Sequence, residues 1–317
     1  MLVPTDFSEE SLKAIAYTRG LLPYFRGTVH LVYVHDIDFV YAVPELAATA
    51  PFLTTGEMEQ HYRADLDKLA RQFELPGATP GNHVRSGRAY REICEVAGEI
   101  GAELVVIATH GHTGLRRLVL GSTVERVLRH APCPVLVVRD RKQEDLETGE
   151  GTSASQKREI TKILVPLDFS ESSREGLLYA IAFARRFGAS LALLHAIQVQ
   201  PFNPADGPPA RERVPAPGVI QRAARLRASK FLKEVDFKGV AYQMEIHGGR
   251  PVHEICRFAE SAGVELIITS THGQTALSHA LIGSTAERVV RNAPCPVLVV
   301  PTTKASAQRR RDLEAGA

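Results

Sequence analysis

The amino-acid sequence predicts an α/β fold made of two tandem doubly wound domains, each with a five-stranded parallel sheet flanked by helices. The chain of 317 residues is long enough for two domains that each bury their own core. Its second half repeats its first half at a nearly constant offset. Within each half, short apolar runs alternate with segments of helical periodicity, as in parallel sheets that helices cover on both faces.

Three blocks of sequence recur with an offset of 162 residues. They are an opening strand with its turn, a later glycine-serine step and a final apolar strand: Leu2–Glu9 with Leu164–Glu171, Gly121–Thr123 with Gly283–Thr285, and Ala131–Val138 with Ala293–Val300. Between the blocks, His35 is matched with His195, an offset of 160 that requires one short gap. The repeat therefore predicts two copies of one domain.

Composition sets the boundaries of the copies. We expect a first domain at 1–139, a linker at 140–159, a second domain at 160–302 and a flexible tail at 303–317. The predicted linker is rich in Glu, Lys, Gly, Ser and Thr and has no apolar periodicity. The first copy opens with its strand at Met1, whereas Glu159–Ile163 precede the second. This difference predicts either a weak first strand or a native start upstream of Met1.

Within each copy, the elements follow from the periodicity. Apolar runs such as Leu104–Ile107 and Pro134–Val138 predict buried strands. Spaced apolar residues predict helices over about Ser8–Phe25, His61–Phe73 and Arg88–Ile100. Prolines and the scarcity of apolar residues predict a mobile loop from Pro201 to Gly218.

The composition excludes several classes of protein. Hydrophobic residues make up 44% and charged residues 23%, the balance of a globular protein and not of a disordered or membrane one. No apolar run has the length of a membrane span and no signal peptide is evident, so we expect a cytoplasmic protein without membrane partners. Aromatic content of 6%, no Trp and a net charge of +2 argue against nucleic-acid binding. The four cysteines are expected to be free thiols.

Ligands of open parallel sheets bind beyond the carboxyl ends of the strands, so residues that follow the apolar runs are candidates for a site. A carboxylate stands after the opening strand of each copy, in Pro4-Thr5-Asp6 and in Pro166-Leu167-Asp168. Two interpretations are open at these positions. The aspartate either contacts a ligand or bonds the first turn of the following helix.

Two further places combine small residues with a helix start. A loop of small residues follows the fourth strand, in Ala108-Thr109-His110-Gly111 and in Ser270-Thr271-His272-Gly273. A Gly-Ser step then opens a helix, at Gly121-Ser122 and Gly283-Ser284. Ser122 and Ser284, each followed three residues later by Glu, are potential capping boxes. Alternatively, the loop and the helix N-terminus together present N–H groups to a phosphate.

The spacing of these glycines resembles that of ATP-binding universal stress proteins, which have Gly, two residues, Gly, nine residues, then Gly with Ser or Thr. Nine residues separate Gly111 from Gly121-Ser122, and nine separate Gly273 from Gly283-Ser284. The resemblance covers both halves but not the linker or tail. It implies a Rossmann-like fold of the adenine nucleotide alpha hydrolase type and a non-catalytic regulator of the stress response that binds ATP or another adenine nucleotide.

The resemblance also implies roles for individual residues. Asp6 and Asp168 would face the adenosine, and Asp36 and Ala196, which follow the two matched histidines, would meet adenine through their backbone. Ribose and phosphates would be held by Gly111, Gly121, Ser122, Thr123, Gly273, Gly283, Ser284 and Thr285. The remaining binding candidates are Pro4, Thr5, Ala108, His110, His112, Arg117, Pro166, Leu167, Ser270, His272 and Gln274. Mg²⁺ would be bound through the phosphates.

Two departures from the motif bear on affinity. The first glycine is replaced by Ala108 in one copy and by Ser270 in the other, and each adds a Cβ that would either crowd the ribose or impose a slightly different backbone angle. Between the later glycines, the first copy has Arg116 and Arg117 where the second has Ser278 and His279. Because Arg binds phosphate in a bidentate manner, we expect tighter triphosphate binding in the first copy.

Other functions stay open at this point. A slow ATP hydrolase would use His110, His272 or Asp6 to position water. A scaffold that binds no nucleotide would associate only through the final strands Val135–Val138 and Val297–Val300. These strands are expected to pair within the chain, which is also expected to form a homodimer and to bind an unknown protein partner. A zinc site at His110 and His112 is disfavoured because Gln274 replaces the second histidine in the other copy.

Overall fold

A computed structural model describes most of the chain in both copies. It covers residues 1–25, 27–35, 55–76, 81–109, 120–139, 159–198, 217–271, 282–302, 308, 310 and 311. The ranges 36–54, 110–119, 140–158, 199–216 and 272–281 are the longer gaps between them.

The first copy alternates strands and helices along the described chain. Its strands are β1 (Leu2–Pro4), β2 (His30–His35), β3 (His83–Ser86), β4 (Val105–Ala108) and β5 (Val135–Val138). Its helices are α1 (Glu9–Leu21), a 3-10 turn (Leu22–Tyr24), α2 (Thr55–Gln72), α3 (Ala89–Glu99) and α4 (Ser122–His130). Three of these helices were predicted, with ends within a few residues except at the start of α2.

The second copy has the same order of elements. Its strands are β6 (Lys162–Pro166), β7 (Ser190–Ile197), β8 (Tyr242–Gly248), β9 (Leu266–Ser270) and β10 (Val297–Val300). Its helices are α5 (Glu171–Phe187), α6 (Pro217–Lys233), α7 (Pro251–Ser261) and α8 (Ser284–Asn292). Pro217 and Gly218, at the end of the predicted loop, belong to α6, and the rest of that predicted segment lies outside the described residues.

All ten strands form one sheet, in the order β3-β2-β1-β4-β5-β10-β9-β6-β7-β8. Strands within each copy are parallel, whereas β5 and β10 pair antiparallel. Leu136 is directly opposite Leu298, its counterpart 162 residues later, so the two copies are related by a pseudo-twofold axis through this pair. The predicted pairing of the final strands within one chain is confirmed.

The strand register corrects the alignment of the two copies. Pro4 is paired with Val32 in β2, and Pro166 with Leu194 in β7. The offset of 162 therefore continues through these strands, and the residue equivalent to His195 is Tyr33. The match of His35 with His195 and the gap it required are wrong. A two-residue slip keeps every side chain on the same face of the sheet, so periodicity alone did not expose it.

Helices cover both faces of the sheet. One apolar layer packs α1 and α5 against the sheet, and the other packs α3, α4, α7 and α8 against the opposite face. Near the pseudo-twofold axis, Phe25 packs against Phe183 and Phe187, with ring centroids 5.5 and 6.0 Å apart. Arg186 lies over the Phe25 ring and donates to the carbonyl of Tyr24. The copies thus share a core as well as a sheet.

Other sequence predictions concern smaller features. The four cysteines are free, and burial raises the pKa of the thiols of Cys94 and Cys256, to about 12 and about 11. In the predicted flexible tail, Arg310 lies 3.5 Å from Glu175 of α5. Within the described residues, no helix is both long enough and apolar enough to cross a membrane.

Candidate functional site

The candidate residues lie at the carboxyl ends of the parallel strands in each copy. Because β5 and β10 are antiparallel, these ends face one edge of the common sheet in the first copy and the opposite edge in the second. The molecule therefore carries two separate candidate sites, each built from one copy. Each site has a turn after its first strand and a loop between its fourth strand and the following helix.

The turn after the first strand is built in the same way in both copies. Oδ1 of Asp6 accepts hydrogen bonds from the backbone N–H (3.1 Å) and the hydroxyl of Ser8, which caps α1. Asp168 accepts the same two bonds from Ser170, at 2.9 and 2.6 Å. The interpretation that the aspartate bonds the first helical turn is confirmed at both positions. The predicted contact of Asp6 and Asp168 with adenosine stays a prediction.

Strained backbone lies between each aspartate and its serine. Phe7 and Phe169 both have φ of +63°, a left-handed conformation that a bulky side chain rarely adopts. Such strain persists only where the surroundings enforce it, and it is concentrated at functional turns. Its repetition in both copies indicates that the fold requires this sharp turn beside the strand end.

The residue before each aspartate has a buried side chain and a backbone N–H that donates to the neighbouring strand. Thr5 is 5% exposed, and its hydroxyl accepts from the N–H of Phe7 and lies 2.9 Å from the Ser11 hydroxyl. Leu167 is similarly buried. Pro4 and Pro166 are the last residues of β1 and β6. The side chains of Thr5 and Leu167 are therefore part of the packing at the strand end.

A hydrogen bond closes the base of each glycine-containing loop. The N–H of Gly121 donates to the carbonyl of Thr109 at 3.1 Å, and Gly283 donates to Thr271 at 2.6 Å. Each bond joins the residue just after the fourth strand of its copy to the residue just before α4 or α8. The loop ends that were predicted to act together are thus adjacent.

The helix starts correct the predicted capping boxes. Gly121 and Gly283 occupy the N-cap positions of α4 and α8, so neither helix has a side-chain N-cap. Ser122 and Ser284 are the first helical residues, and both are exposed. The first-turn N–H groups of Ser122 and Thr123, and of Ser284 and Thr285, therefore lie at a helix N-terminus that favours an anion.

The two residues that replace the first motif glycine are buried at the ends of β4 and β9. Ala108 is 6% exposed and belongs to the apolar layer that contains Ala14 of α1. Ser270 is 7% exposed and lies under Gly176 of α5, where a Cβ on Gly176 would approach the Ser270 N–H nitrogen to 3.4 Å. Both side chains are buried near these helices, and their predicted effect on the ribose stays a prediction.

The corrected alignment changes the position expected to meet adenine in the first copy. Ala196 follows His195 in β7, and its equivalent is Val34 in β2. Asp36, the earlier candidate, lies outside the described residues and is equivalent to Gln198. We therefore expect the backbone of Val34 and of Ala196 at the adenine end of the two sites.

Residues that the sequence did not single out distinguish the second strands of the two copies, β2 and β7. Tyr33 stacks on Tyr62 of α2 with centroids 4.2 Å apart and packs 5.2 Å from Phe7. Burial and a hydrogen bond to Tyr62 raise the pKa of Tyr33. In the second copy, Nδ1 of His195 donates to the carbonyl of Leu167 at 2.7 Å, just after the end of β6.

A buried carboxylate marks the second copy beside Ala196. His247 is paired with Ala196 in the sheet and lies 3.4 Å from Glu254, whose side chain is 8% exposed. Hydrogen bonds, first from Arg257 and then from His253, hold the pKa of Glu254 below its usual value. The equivalent Glu92 has a raised pKa because of burial, so the copies differ in electrostatics at this position.

The remaining candidates lie in parts of the chain that the structure leaves undescribed. They are His110, Gly111, His112 and Arg117 in the first copy and His272, Gly273 and Gln274 in the second. Their predicted contacts with ribose and phosphates stay predictions. Within the described residues, no group of three or more His, Cys, Asp or Glu side chains is arranged to bind a metal ion.

Comparison with known proteins identifies the repeated domain. The universal stress protein family matches residues 1–139 and 159–301. The universal stress protein MJ0531 of Methanocaldococcus jannaschii is 37% identical over 145 residues, 45% of this chain and 83% of its own length. The universal stress protein Slr1230 of Synechocystis sp. is 26% identical over 321 residues, 94% of this chain and 98% of its own.

A solved structure has the same tandem fold. The crystal structure of a universal stress protein from Archaeoglobus fulgidus covers 96% of this chain and 98% of its own, with a TM-score of 0.61 and 21% identity. The family matches nearly all of both copies, and the tandem relative extends across the predicted linker. The chain therefore belongs to the universal stress protein family and carries its domain twice.

Proposed function

We propose that the protein binds an adenine nucleotide, ATP in the first instance, in each of its two copies and acts as a nucleotide-dependent regulator of the stress response in the cytoplasm. The observation that carries this proposal is the repeated arrangement at the loop base. In both copies a strand-end carbonyl holds an N-cap glycine, and a nine-residue helix without a side-chain cap follows. Such a helix end stabilises a bound phosphate.

The rest of the nucleotide would extend from this helix end along the carboxyl edge of the sheet. The turns at Asp6 and Asp168 and the backbone of Val34 and Ala196 would then contact the adenosine, as the family resemblance implies. Mg²⁺ would be held by phosphate oxygens, since the described residues supply no protein cage for it. Parallel α/β sheets commonly place nucleotides at this edge, which supports the same location.

The first experiment tests for binding with the intact protein. We expect released small molecules from purified protein to include an adenine nucleotide, and we expect added Mg-ATP to raise the melting temperature. The absence of nucleotide together with an unchanged melting temperature would favour the scaffold interpretation.

Ser122→Glu combined with Ser284→Glu tests the location of the phosphates. A carboxylate at the first helical position interacts favourably with the helix dipole, so we expect the variant to remain folded. The same charge repels a phosphate, and we expect ATP affinity by calorimetry to fall by about tenfold or more. Ser122→Ala with Ser284→Ala is the matched control and should change affinity much less. Unchanged affinity in the Glu variant would place the phosphates elsewhere.

A further inference from the structure

Helix α6 of the second copy has an unusual charge. It carries five basic residues and no acidic one, and all five are exposed: Arg222, Arg225, Arg227, Lys230 and Lys233. None of them forms an ion pair with a carboxylate in the described part of the chain. The equivalent helix α2 carries four acidic and three basic residues. The basic surface is therefore specific to the second copy.

The same helix exposes large apolar side chains. Val219 is 58% exposed and Leu226 is 67% exposed, and they are two of the three exposed large hydrophobic residues in the described chain. Ala223 lies between them and is also exposed. The spacings of four and three residues place Val219, Ala223 and Leu226 in one stripe along the helix, and the exposed Lys230 follows them four residues later on the same face. We call Val219, Ala223 and Leu226 the α6 stripe.

The α6 stripe points away from the core of the second copy. Ala224, Ala228 and Phe231 are buried and form the opposite face of the helix. By helical geometry, Arg222 and Arg227 lie on the two sides of the stripe, at the positions where paired helices place interhelical charges. Arg222 is exposed, whereas the Arg227 guanidinium lies 5.7 Å from the centre of the Phe169 ring in its own domain. An apolar seam flanked by cations is the pattern that one helix presents to a second, acidic helix.

We propose that the α6 stripe is a docking surface for an acidic amphipathic helix of a partner protein, with apolar residues on the seam and Glu or Asp beside it. The small side chain of Ala223 leaves a gap between Val219 and Leu226 that an apolar side chain of a second helix fills. Neither a nucleic-acid backbone nor a lipid headgroup makes use of such a gap. Charge complementarity with Arg222 and Arg227 requires a negatively charged partner helix.

The residues disfavour pairing of α6 with a second copy of itself, and they give α2 of the first copy no matching surface. Pairing of α6 with α6 of a second copy would bring arginine against arginine, which is unfavourable. The equivalent positions in α2 are Glu57, His61 and Ala64, so the first copy lacks the apolar seam. The surface thus distinguishes the two halves of one chain and gives the second copy its own partner.

The test uses the full-length protein and a synthetic acidic helical peptide of about three heptads, with Leu on the seam and Glu on both flanks. Binding of the labelled peptide is followed by fluorescence anisotropy at low and high salt. A peptide of the same charge with Ser in place of Leu, a short DNA duplex and vesicles with about 30% phosphatidylserine are the competing probes.

We expect saturable binding of the Leu peptide and at least about tenfold weaker binding of the Ser peptide. Val219→Gln with Leu226→Gln, and separately Arg222→Glu, should each weaken Leu-peptide binding by about tenfold or more. All three side chains are exposed, and circular dichroism verifies that each variant is folded. Arg225→Glu, which removes a cation away from the seam, is the matched control and should lose less than about threefold.

Two results would overturn the proposal. One is the absence of binding of the Leu peptide to the unaltered protein. The other is binding of DNA or anionic vesicles at least as tight as that of the peptide and insensitive to the Val219 and Leu226 substitutions, which would make α6 a general polyanion surface. Neither result depends on nucleotide occupancy of the candidate sites, so the proposed function is tested separately.

Discussion

At the scale of single residues, a pair of histidines in the first copy links folding to pH. Nδ1 of His30 donates to the Gly81 carbonyl at 3.0 Å and lies 3.2 Å from Nε2 of His83, and the two rings stack. Burial is the main reason that the pKa of each histidine is lowered. The folded protein therefore favours both rings in the neutral form.

This lowered pKa predicts destabilisation in mild acid. In the unfolded chain these two histidines bind protons near pH 6.5, and in the folded chain they do so only at lower pH. Their contribution to the free energy of unfolding is therefore fully present above about pH 6.5 and declines as the pH falls below it. We expect His83→Gln to reduce the loss of melting temperature between about pH 7.5 and pH 5.5. His61→Gln, at an exposed position of α2, controls for the loss of a histidine, and an equal effect from both variants would contradict the prediction.

Single residues also set the two candidate sites apart. Tyr33 reaches Tyr62 in α2, whereas its equivalent His195 bonds the backbone of Leu167. The sequence repeat identified the strand but not this exchange, because the false match of His35 with His195 concealed it. Such exchanges depend on the helix above the strand, which no local pattern specifies.

At the scale of elements, glycines at helix ends and interiors have opposite effects on stability. Gly188 ends α5 with φ of +72°, a left-handed conformation that suits glycine. Gly98 lies within α3, and a Cβ there would meet no atom within 4 Å. The two positions provide a matched pair, since the same substitution is strained in one and free of strain in the other.

We expect Gly188→Ala to destabilise the protein by about 1 kcal/mol, because alanine is strained in the left-handed region. Gly98→Ala should stabilise it by about 0.5–1 kcal/mol, because alanine favours the helix and loses less backbone entropy. Urea denaturation measures both changes. A change of the same sign in the two variants would contradict this account.

The helix starts at Ser122 and Ser284 show how elements limit sequence interpretation. A serine followed three residues later by glutamate is a capping-box pattern, but the pattern does not fix which residue is the N-cap. The bond from Gly121 to Thr109 holds glycine in that position and makes the serine the first helical residue. A contact with a distant strand therefore changed the role of a local motif.

At the scale of the whole molecule, the antiparallel pair β5 and β10 makes two copies into one sheet. Leu136 and Leu298 are 3% and 0% exposed on the pseudo-twofold axis, and the core beneath them includes residues of both copies. Because the axis residues pack against both halves, a destabilising substitution at this position should lower the stability of both copies. A substitution in an outer helix should mainly lower the stability of its own copy.

Leu136→Ala tests this coupling. Loss of a buried leucine costs about 2–5 kcal/mol, and we expect reduced hydrogen-exchange protection in β1 of the first copy and in β6 of the second. Leu66→Ala removes a fully buried leucine of α2 and is the matched control. Its effect should be concentrated in the first copy. Equal loss in both halves from Leu66→Ala would indicate that the chain unfolds as a single unit from any position.

The predicted difference in nucleotide affinity between the copies is also tested on the whole chain. The expectation of tighter triphosphate binding in the first copy rests on Arg116 and Arg117. The second copy has Ser278 and His279 at the equivalent positions. The single variants Ser284→Glu and Ser122→Glu leave one unaltered site each. Calorimetry should give the lower Kd for ATP in Ser284→Glu, and equal or reversed values would remove the idea.

By itself, the sequence determined the α/β class, the two copies and most element positions. Hydrophobic periodicity and the repeated blocks around Asp6, Gly121 and Val135 are local properties, so they are readable without a structure. The same blocks located both candidate sites at strand ends.

Only the tertiary structure decided the register of Tyr33 with His195, the burial of Ala108 and Ser270, and the N-cap role of Gly121. Each depends on which strand or helix packs against the residue, and residues far apart in the chain supply those contacts. Sequence patterns specify a face or a turn, but pairing between distant segments specifies the partner. For the same reason, the exposed stripe on α6 became visible only once its buried face was known.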